Sequence, residues 1–371
     1  MKQIGLVVNP IAGLGGRVGL KGSDGAHIQQ RAFELGAIPH ATDRAVEALK
    51  YLLSMKNDLD ILTYPGSMGE IAAKQAGFSP FVMGQSIYEH TTAEDTKRAV
   101  NELMNKDLSL LMFAGGDGTA RDIYSAGGSE IPTVGVPAGV KIHSAVYAIH
   151  PRAAGELALA YLHGETVLNN TEVMDIDEEE FRQGRVSAKL YGFLKVPYLQ
   201  RFVQGAKSAS PKSLSSTLEG IAKDLFERMC PDTMYIIGPG SSTQLITEHM
   251  GMKKNLLGVD AYLNGRMIAS DTNESTLIEL LTNYPAAEII VTPIGGQGCI
   301  FGRGNQQISP AVIRAVGKTR IYIISTPEKL QAFKGRPLWV DTGDYALDKA
   351  LCGYYPIITG YKEYVMYKVT S

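Results

Sequence analysis

The residues best suited to chemistry are Gly115-Gly116-Asp117-Gly118-Thr119, directly after the apolar run Leu108-Ser109-Leu110-Leu111-Met112-Phe113-Ala114. A continuous apolar run closed by glycines reads as a buried parallel strand. The stretch Ile123-Tyr124-Ser125-Ala126, stopped by Gly127-Gly128, reads as a short helix. The glycines therefore lie on a strand-to-helix turn. There, backbone N–H groups can approach a phosphate with no Cβ in the way, and the helix N-terminus favours negative charge. Asp117 is the odd member of the group. Phosphate repels a carboxylate, so its presence suggests a base aimed at an attacking hydroxyl, or a partner for a metal ion. A tight turn whose Asp bonds its own backbone fits the same five residues.

The elements that must position this turn repeat its pattern. Strands are predicted at Ile4–Val8, Asp60–Thr63, Leu110–Ala114 and Thr133–Val136. Each leads into a Gly-containing turn: Gly13-Leu14-Gly15-Gly16, Gly66-Ser67-Met68-Gly69, the Asp117 loop, and Pro137-Ala138-Gly139. In an open parallel sheet such turns emerge together at the carboxyl edge, where ligands bind. Ile142–Leu162 has helical spacing but contains Pro151, which predicts a break or kink.

Beyond Leu168 the character shifts. Val173–Ile176 and Val186–Tyr191 read as strands flanking the acidic turn Asp177-Glu178-Glu179-Glu180, a solvated hairpin tip. Gly205-Ala206-Lys207-Ser208-Ala209-Ser210-Pro211-Lys212-Ser213 reads as a surface loop, with a lid carrying Lys207 and Lys212 to phosphate as the other reading. Ser216 and Glu219 offer a capping box for a helix through Arg228. Strands then recur at Met234–Ile237, Glu288–Thr292, Arg320–Ser325 and Glu363–Val369, with a helix closed by Gly251 and a core role for Trp339. The expected architecture is α/β: an N-terminal Rossmann-like parallel sheet with helices on both faces, over residues 1–165. A second mixed α/β domain with a β-rich portion covers 166–371, and its C-terminal segment is expected to pack back on the first.

Composition excludes several classes. A net charge of −2 leaves no electrostatic footprint for nucleic acid or an anionic membrane surface. Cys230, Cys299 and Cys352 lack CxxC spacing, which argues for a reducing compartment and against structural zinc. The 7 histidines form no HxxxH or HExxH pattern, so no protein-bound metal is expected. Met1-Lys2 runs straight into a strand, and no apolar run reaches membrane-spanning length, so the expected location is cytoplasmic. The Walker A pattern, a G-x-G-x-x-G after a strand and a Gly-x-Ser-x-Gly elbow are all missing.

Gly115–Thr119 resembles the phosphate-transfer motif of the superfamily of NAD kinases, diacylglycerol and sphingosine kinases, and phosphofructokinases. Asn9-Pro10-Ile11-Ala12-Gly13 resembles its companion motif. Gly296-Gln297-Gly298, Phe301-Gly302-Arg303-Gly304-Asn305-Gln306-Gln307 and Val340-Asp341-Thr342-Gly343-Asp344 resemble the ATP-NAD kinase branch that includes the acetoin-catabolism X proteins. Lipid kinases of the superfamily show Pro-x-Gly-Thr-x-Asn-Asp where this chain has Pro137-Ala138-Gly139-Val140-Lys141-Ile142-His143-Ser144. The resemblance implies an ATP-dependent kinase that phosphorylates the adenosine-ribose 2′-hydroxyl of NAD. A kinase for another nucleoside, polyol or lipid hydroxyl and a non-catalytic nucleotide-binding protein are the alternatives.

Within the resemblance, Asp117 is the catalytic residue, and Asn9, Gly13, Gly115, Gly116, Gly118 and Thr119 cradle phosphate. Gly66 and Ser67 lie on the same edge. Lys141, a cation at a predicted helix start, is disfavoured there unless an anion is near. The NAD kinase Asn-Glu pair is matched only by Asn170-Thr171-Glu172-Val173, which makes Glu172 the acceptor-binding residue. Mg²⁺ arrives with ATP. The expected partners are ATP, NAD and further copies of the chain as a homo-oligomer, with no nucleic acid and no membrane.

Overall fold

A computed structural model of the chain describes residues 1–20, 25–85, 91–139, 142–176, 188–199, 215–295 and 298–371. It divides into two compact units, Met1–Leu14 with Gly22–Ala206, and Gly15–Lys21 with Lys207–Ser371. Of the residues after 165, the described residues 166–176 and 188–199 lie in the first unit.

In the first unit β1 (Lys2–Val8), β2 (Leu59–Thr63), β3 (Phe81–Val82), β4 (Leu110–Gly115) and β5 (Thr133–Pro137) form a sheet of order β3-β2-β1-β4-β5. All four pairings are parallel. The continuous apolar runs of β1 and β4 are explained by burial on both faces. On one face Ile4, Leu6, Leu110, Met112 and Ala114 join Ala45 and Leu49 of α2 (Ala41–Leu49), Ala72 of α3 (Glu70–Gln75) and Leu157 of α6 (Pro151–Leu162). On the other, Val7, Leu111 and Phe113 meet Val100 and Leu103 of α4 (Ala93–Met104) and Ile123 of α5 (Asp117–Ser125). Each such large side chain contributes roughly 1.5–3 kcal/mol relative to exposure. Helix α1 (Ala26–Glu34) also belongs to this unit.

Pro151 does not kink a helix; it opens one. Residues 142–150 are not helical, and α6 starts with Pro151 at its first position, capped by His150, whose Nδ1 accepts from Ala153 N at 3.0 Å. Proline suits that position because its missing N–H would have had no partner in the helix. A second revision concerns α5, which begins at Asp117 and so takes Gly118 and Thr119 into its first turn. Gly127, at φ 87°, marks its stop. The two strands expected near Val173 and Tyr191 are longer, β6 (Val167–Ile176) and β7 (Ala188–Tyr198), paired antiparallel as a separate ribbon. A Cβ at Gly192 of β7 would lie 2.1 Å from the Tyr124 ring, so the ribbon meets α5 at backbone distance. The acidic turn 177–180 and the loop 205–213 lie outside the described residues.

The second unit holds a nine-stranded mixed sheet of order β10-β9-β8-β11-β13-β15-β16-β14-β12. Its parallel centre is β8 (Met234–Ile237), β11 (Ala287–Val291), β13 (Ile321–Ile324) and β15 (Gly353–Gly360). Antiparallel partners are β9 (Asp260–Leu263), β10 (Arg266–Ala269) and β16 (Glu363–Thr370), and β12 (Cys299–Phe301) and β14 (Leu338–Val340) close the order. Trp339 is half-buried on β14. The helix expected through Arg228 is α7 (Ser215–Arg228).

Candidate active site

Strand order reverses between β1 and β4, and in open parallel sheets ligands bind at the carboxyl ends beside such a switch. Here the two strand ends pair Val8 with Ala114. Asn9 follows β1 and spans the switch. Its backbone N donates to Ala114 O at 2.9 Å, and its Nδ2 donates to Thr119 Oγ1 at 2.9 Å. Its Oδ1 accepts from Ile11 N at 3.2 Å, which folds residues 9–14 into a turn.

Three glycine turns press together here at backbone distance. A Cβ on Gly13, itself at φ +77°, would fall 2.0 Å from Ala138 O. A Cβ on Gly139 would lie 2.8 Å from Gly116 Cα, and Gly115 O accepts from both Ala138 N and Gly139 N. Gly116 is extended at φ −120°, so what limits a side chain there is close approach, with Gly139 Cα 3.2 Å from a Cβ, and not a left-handed conformation. Gly115 is similarly confined, since its Cβ would sit 2.5 Å from Thr119 Cβ. Gly116 O is held by Tyr147 OH at 2.5 Å, and the Tyr147 ring packs edge-on to Phe113.

Asp117 is the first residue of α5. Ala120 N bonds Gly116 O, so the amides of Asp117, Gly118 and Thr119 have no partner within the helix. That leaves donors and the positive end of the helix dipole for an anion. The carboxylate of Asp117 is buried and accepts three bonds. Oδ2 takes His143 N at 2.6 Å and meets His143 Nδ1 at 3.1 Å, while Oδ1 takes Ser144 N at 2.9 Å. The segment is pinned further by Ser144 Oγ, which donates to Met174 O at 2.6 Å and accepts from Met174 N at 3.0 Å. Ala145 N donates to Glu172 O at 3.1 Å. Residues 143–145 thus strap the start of α5 to β6. Beside the strap, Arg121 pairs with Asp175 at 2.6 Å.

Asn9, Gly13, Gly115, Gly116, Asp117, Gly118 and Thr119 are therefore gathered at one sheet edge. Glu172 is tied to them through backbone, with its side chain exposed on β6. Gly66 and Ser67 follow β2 in a short 3-10 turn. The Gly66 amide is already engaged, donating to Glu70 Oε2 at 2.8 Å, and Lys74 with Gly66 holds the Glu70 carboxyl below its ordinary range. Lys141 lies outside the described residues. The roles of His143, Ser144 and Tyr147 were not foreseen. Only His143 carried a signal, as a departure from the lipid-kinase pattern.

Fold and matched domains together define a protein of the kinase class. Residues 4–166 match the ATP-NAD kinase N-terminal domain, and residues 232–369 match the ATP-NAD kinase C-terminal domain. The chain belongs to the ATP-NAD kinase family. Comparison with curated proteins and with solved structures gives no match. Among the described residues, no helix is long and apolar enough to cross a membrane.

Proposed function

We propose that the chain transfers the γ-phosphoryl group of ATP to the adenosine-ribose 2′-hydroxyl of NAD, giving NADP and ADP. The observation that carries this reading is the meeting of Asn9, Asp117 and Thr119 at the switch between β1 and β4, in a chain that matches both ATP-NAD kinase domains. The amides of Gly118 and Thr119, with Asn9 beside them, receive the donor's phosphates. Mg²⁺ enters as part of the nucleotide substrate and neutralises charge between its β and γ oxygens. Among the described residues, no cluster of three His, Cys, Asp or Glu side chains is placed to hold a metal of the protein's own. Asp117 accepts the acceptor hydroxyl's proton or orients it. Glu172 contacts the ribose hydroxyls or the nicotinamide amide of NAD.

The test is NADP formation by purified protein from Mg-ATP and NAD, read with an NADP-specific dehydrogenase, beside a panel of nucleosides and polyols. NADP formation is expected. Turnover of a panel member with none of NAD retires the reading.

A further inference from the structure

We propose that Tyr147 is a positioning residue for the donor's phosphates: its hydroxyl fixes and polarises the Gly116–Asp117 peptide, so that the Asp117 amide N–H binds a phosphate oxygen. This rests on the kinase reading above, and it adds the Asp117 amide to those of Gly118 and Thr119. Gly116 O accepts from Ala120 N at 3.1 Å and from Tyr147 OH at 2.5 Å. A carbonyl oxygen has two lone pairs, so both are engaged. The bond from Ala120 points this carbonyl along the helix, and in a trans peptide the N–H of the next residue points the opposite way. The Asp117 amide therefore projects out of the start of α5, and among the described residues it has no acceptor. The carboxylate of the same residue is turned onto the strap, where it accepts from His143 N and Ser144 N.

Glycine at 116 makes this peptide the weak point of the turn. Close approach to Gly139 favours a residue without a Cβ, but glycine leaves the backbone free to rotate. Rotation of the Gly116–Asp117 plane would present a carbonyl oxygen to the phosphates in place of an N–H. Tyr147 opposes that rotation from a crowded position. It is fully buried, its ring packs edge-on to Phe113 with centroids 5.2 Å apart, and a Cβ on Gly135 of β5 would come within 2.6 Å of it. The neighbours on either side are tied to the same glycine: Gly135 N donates to Val146 O at 3.1 Å, and Ala148 N donates to Gly135 O at 3.0 Å. The hydroxyl is thereby held on Gly116 O. Hydrogen bonds in a chain polarise one another, so an O–H on this carbonyl makes the Asp117 N–H a better donor to an anion.

Titration calorimetry with Mg-ATP on the whole protein tests this through Tyr147→Phe. The variant keeps the ring, and Gly116 O keeps Ala120 N, so no buried acceptor is left bare and the protein folds. Its Kd for ATP is expected to rise about 2–10-fold, the worth of one hydrogen bond. Phe113→Leu is the control. It loses the ring contact and keeps the hydroxyl, so its thermal midpoint falls while its ATP affinity stays that of wild type. A Tyr147→Phe affinity equal to wild type overturns the proposal. So does an equal loss in both variants, which would make stability the cause and not the hydroxyl. Binding is read without an acceptor, so wild-type protein that binds ATP but makes no NADP retires the NAD reading, while the affinity of Tyr147→Phe still decides the role of Tyr147. Wild-type protein that binds no ATP overturns both.

Discussion

The Asn9 side-chain amide donates to Thr119 Oγ1 at 2.9 Å, joining the end of β1 to the first turn of α5 across 110 residues of sequence. The bond fixes the mouth of the switch between β1 and β4, where the proposed nucleotide phosphates lie. Thr119→Val is expected to lower stability by about 0.5–1.5 kcal/mol, as for a typical hydrogen bond, and Asn9→Ala by more, because it also removes the bond from Ile11 N. Because both remove one contact, the double variant should lose less than the sum. Urea unfolding of the four proteins measures this coupling, and strict additivity would show that the bond carries no energy.

The glycine contacts predict a ranked series. Gly13→Ala meets a carbonyl oxygen at 2.0 Å from a backbone at φ +77°, whereas Gly139→Ala meets Gly116 Cα at 2.8 Å. Gly116→Ala, at 3.2 Å from Gly139 Cα, asks for the smallest adjustment. Overpacking of this kind costs typically ~1–3 kcal/mol, so thermal midpoints should fall in the order Gly13, Gly139, Gly116. Equal midpoints would mean that the three turns are not held at backbone distance.

Asp117→Asn is expected to be more than a chemical change. All the groups on the carboxylate are N–H donors or a ring nitrogen, so an amide nitrogen must face a backbone N–H of His143 or Ser144. A buried donor left unpaired costs about 1–3 kcal/mol, so the variant should melt lower as well as lose turnover. A midpoint equal to wild type would contradict the strap as described.

How much of this was legible follows from what each residue depends on. β1, β2, β4 and β5 were readable because strands buried on both faces are predominantly apolar. β3, two exposed residues at the sheet edge, has no such run. Pro151 has two local meanings, kink and helix start, and only the packing of residues 142–150 chooses between them. Asp117 stood out by residue type alone. Its partners His143 and Ser144 did not, because a contact over 26 residues depends on a strap returning across the start of α5.

Glu172 is the member of the site most open to test. Its carbonyl is joined to the strap, so Glu172→Ala leaves that backbone bond in place and removes only the exposed carboxylate. If that carboxylate holds NAD, its loss removes a charged hydrogen bond worth ~1.5–3 kcal/mol, roughly one to two decades of NAD affinity. ATP binding should be unchanged. Titration calorimetry with each nucleotide separates the two, and an unaltered NAD affinity would move the acceptor elsewhere.

The most direct measurement is product analysis of the wild-type protein incubated with Mg-ATP and NAD. The account predicts NADP and ADP in equal amounts, with the phosphate on the adenosine-ribose 2′-oxygen by phosphorus-31 NMR. ADP release matched by phosphorylation of another hydroxyl compound, with NAD recovered unchanged, would contradict it.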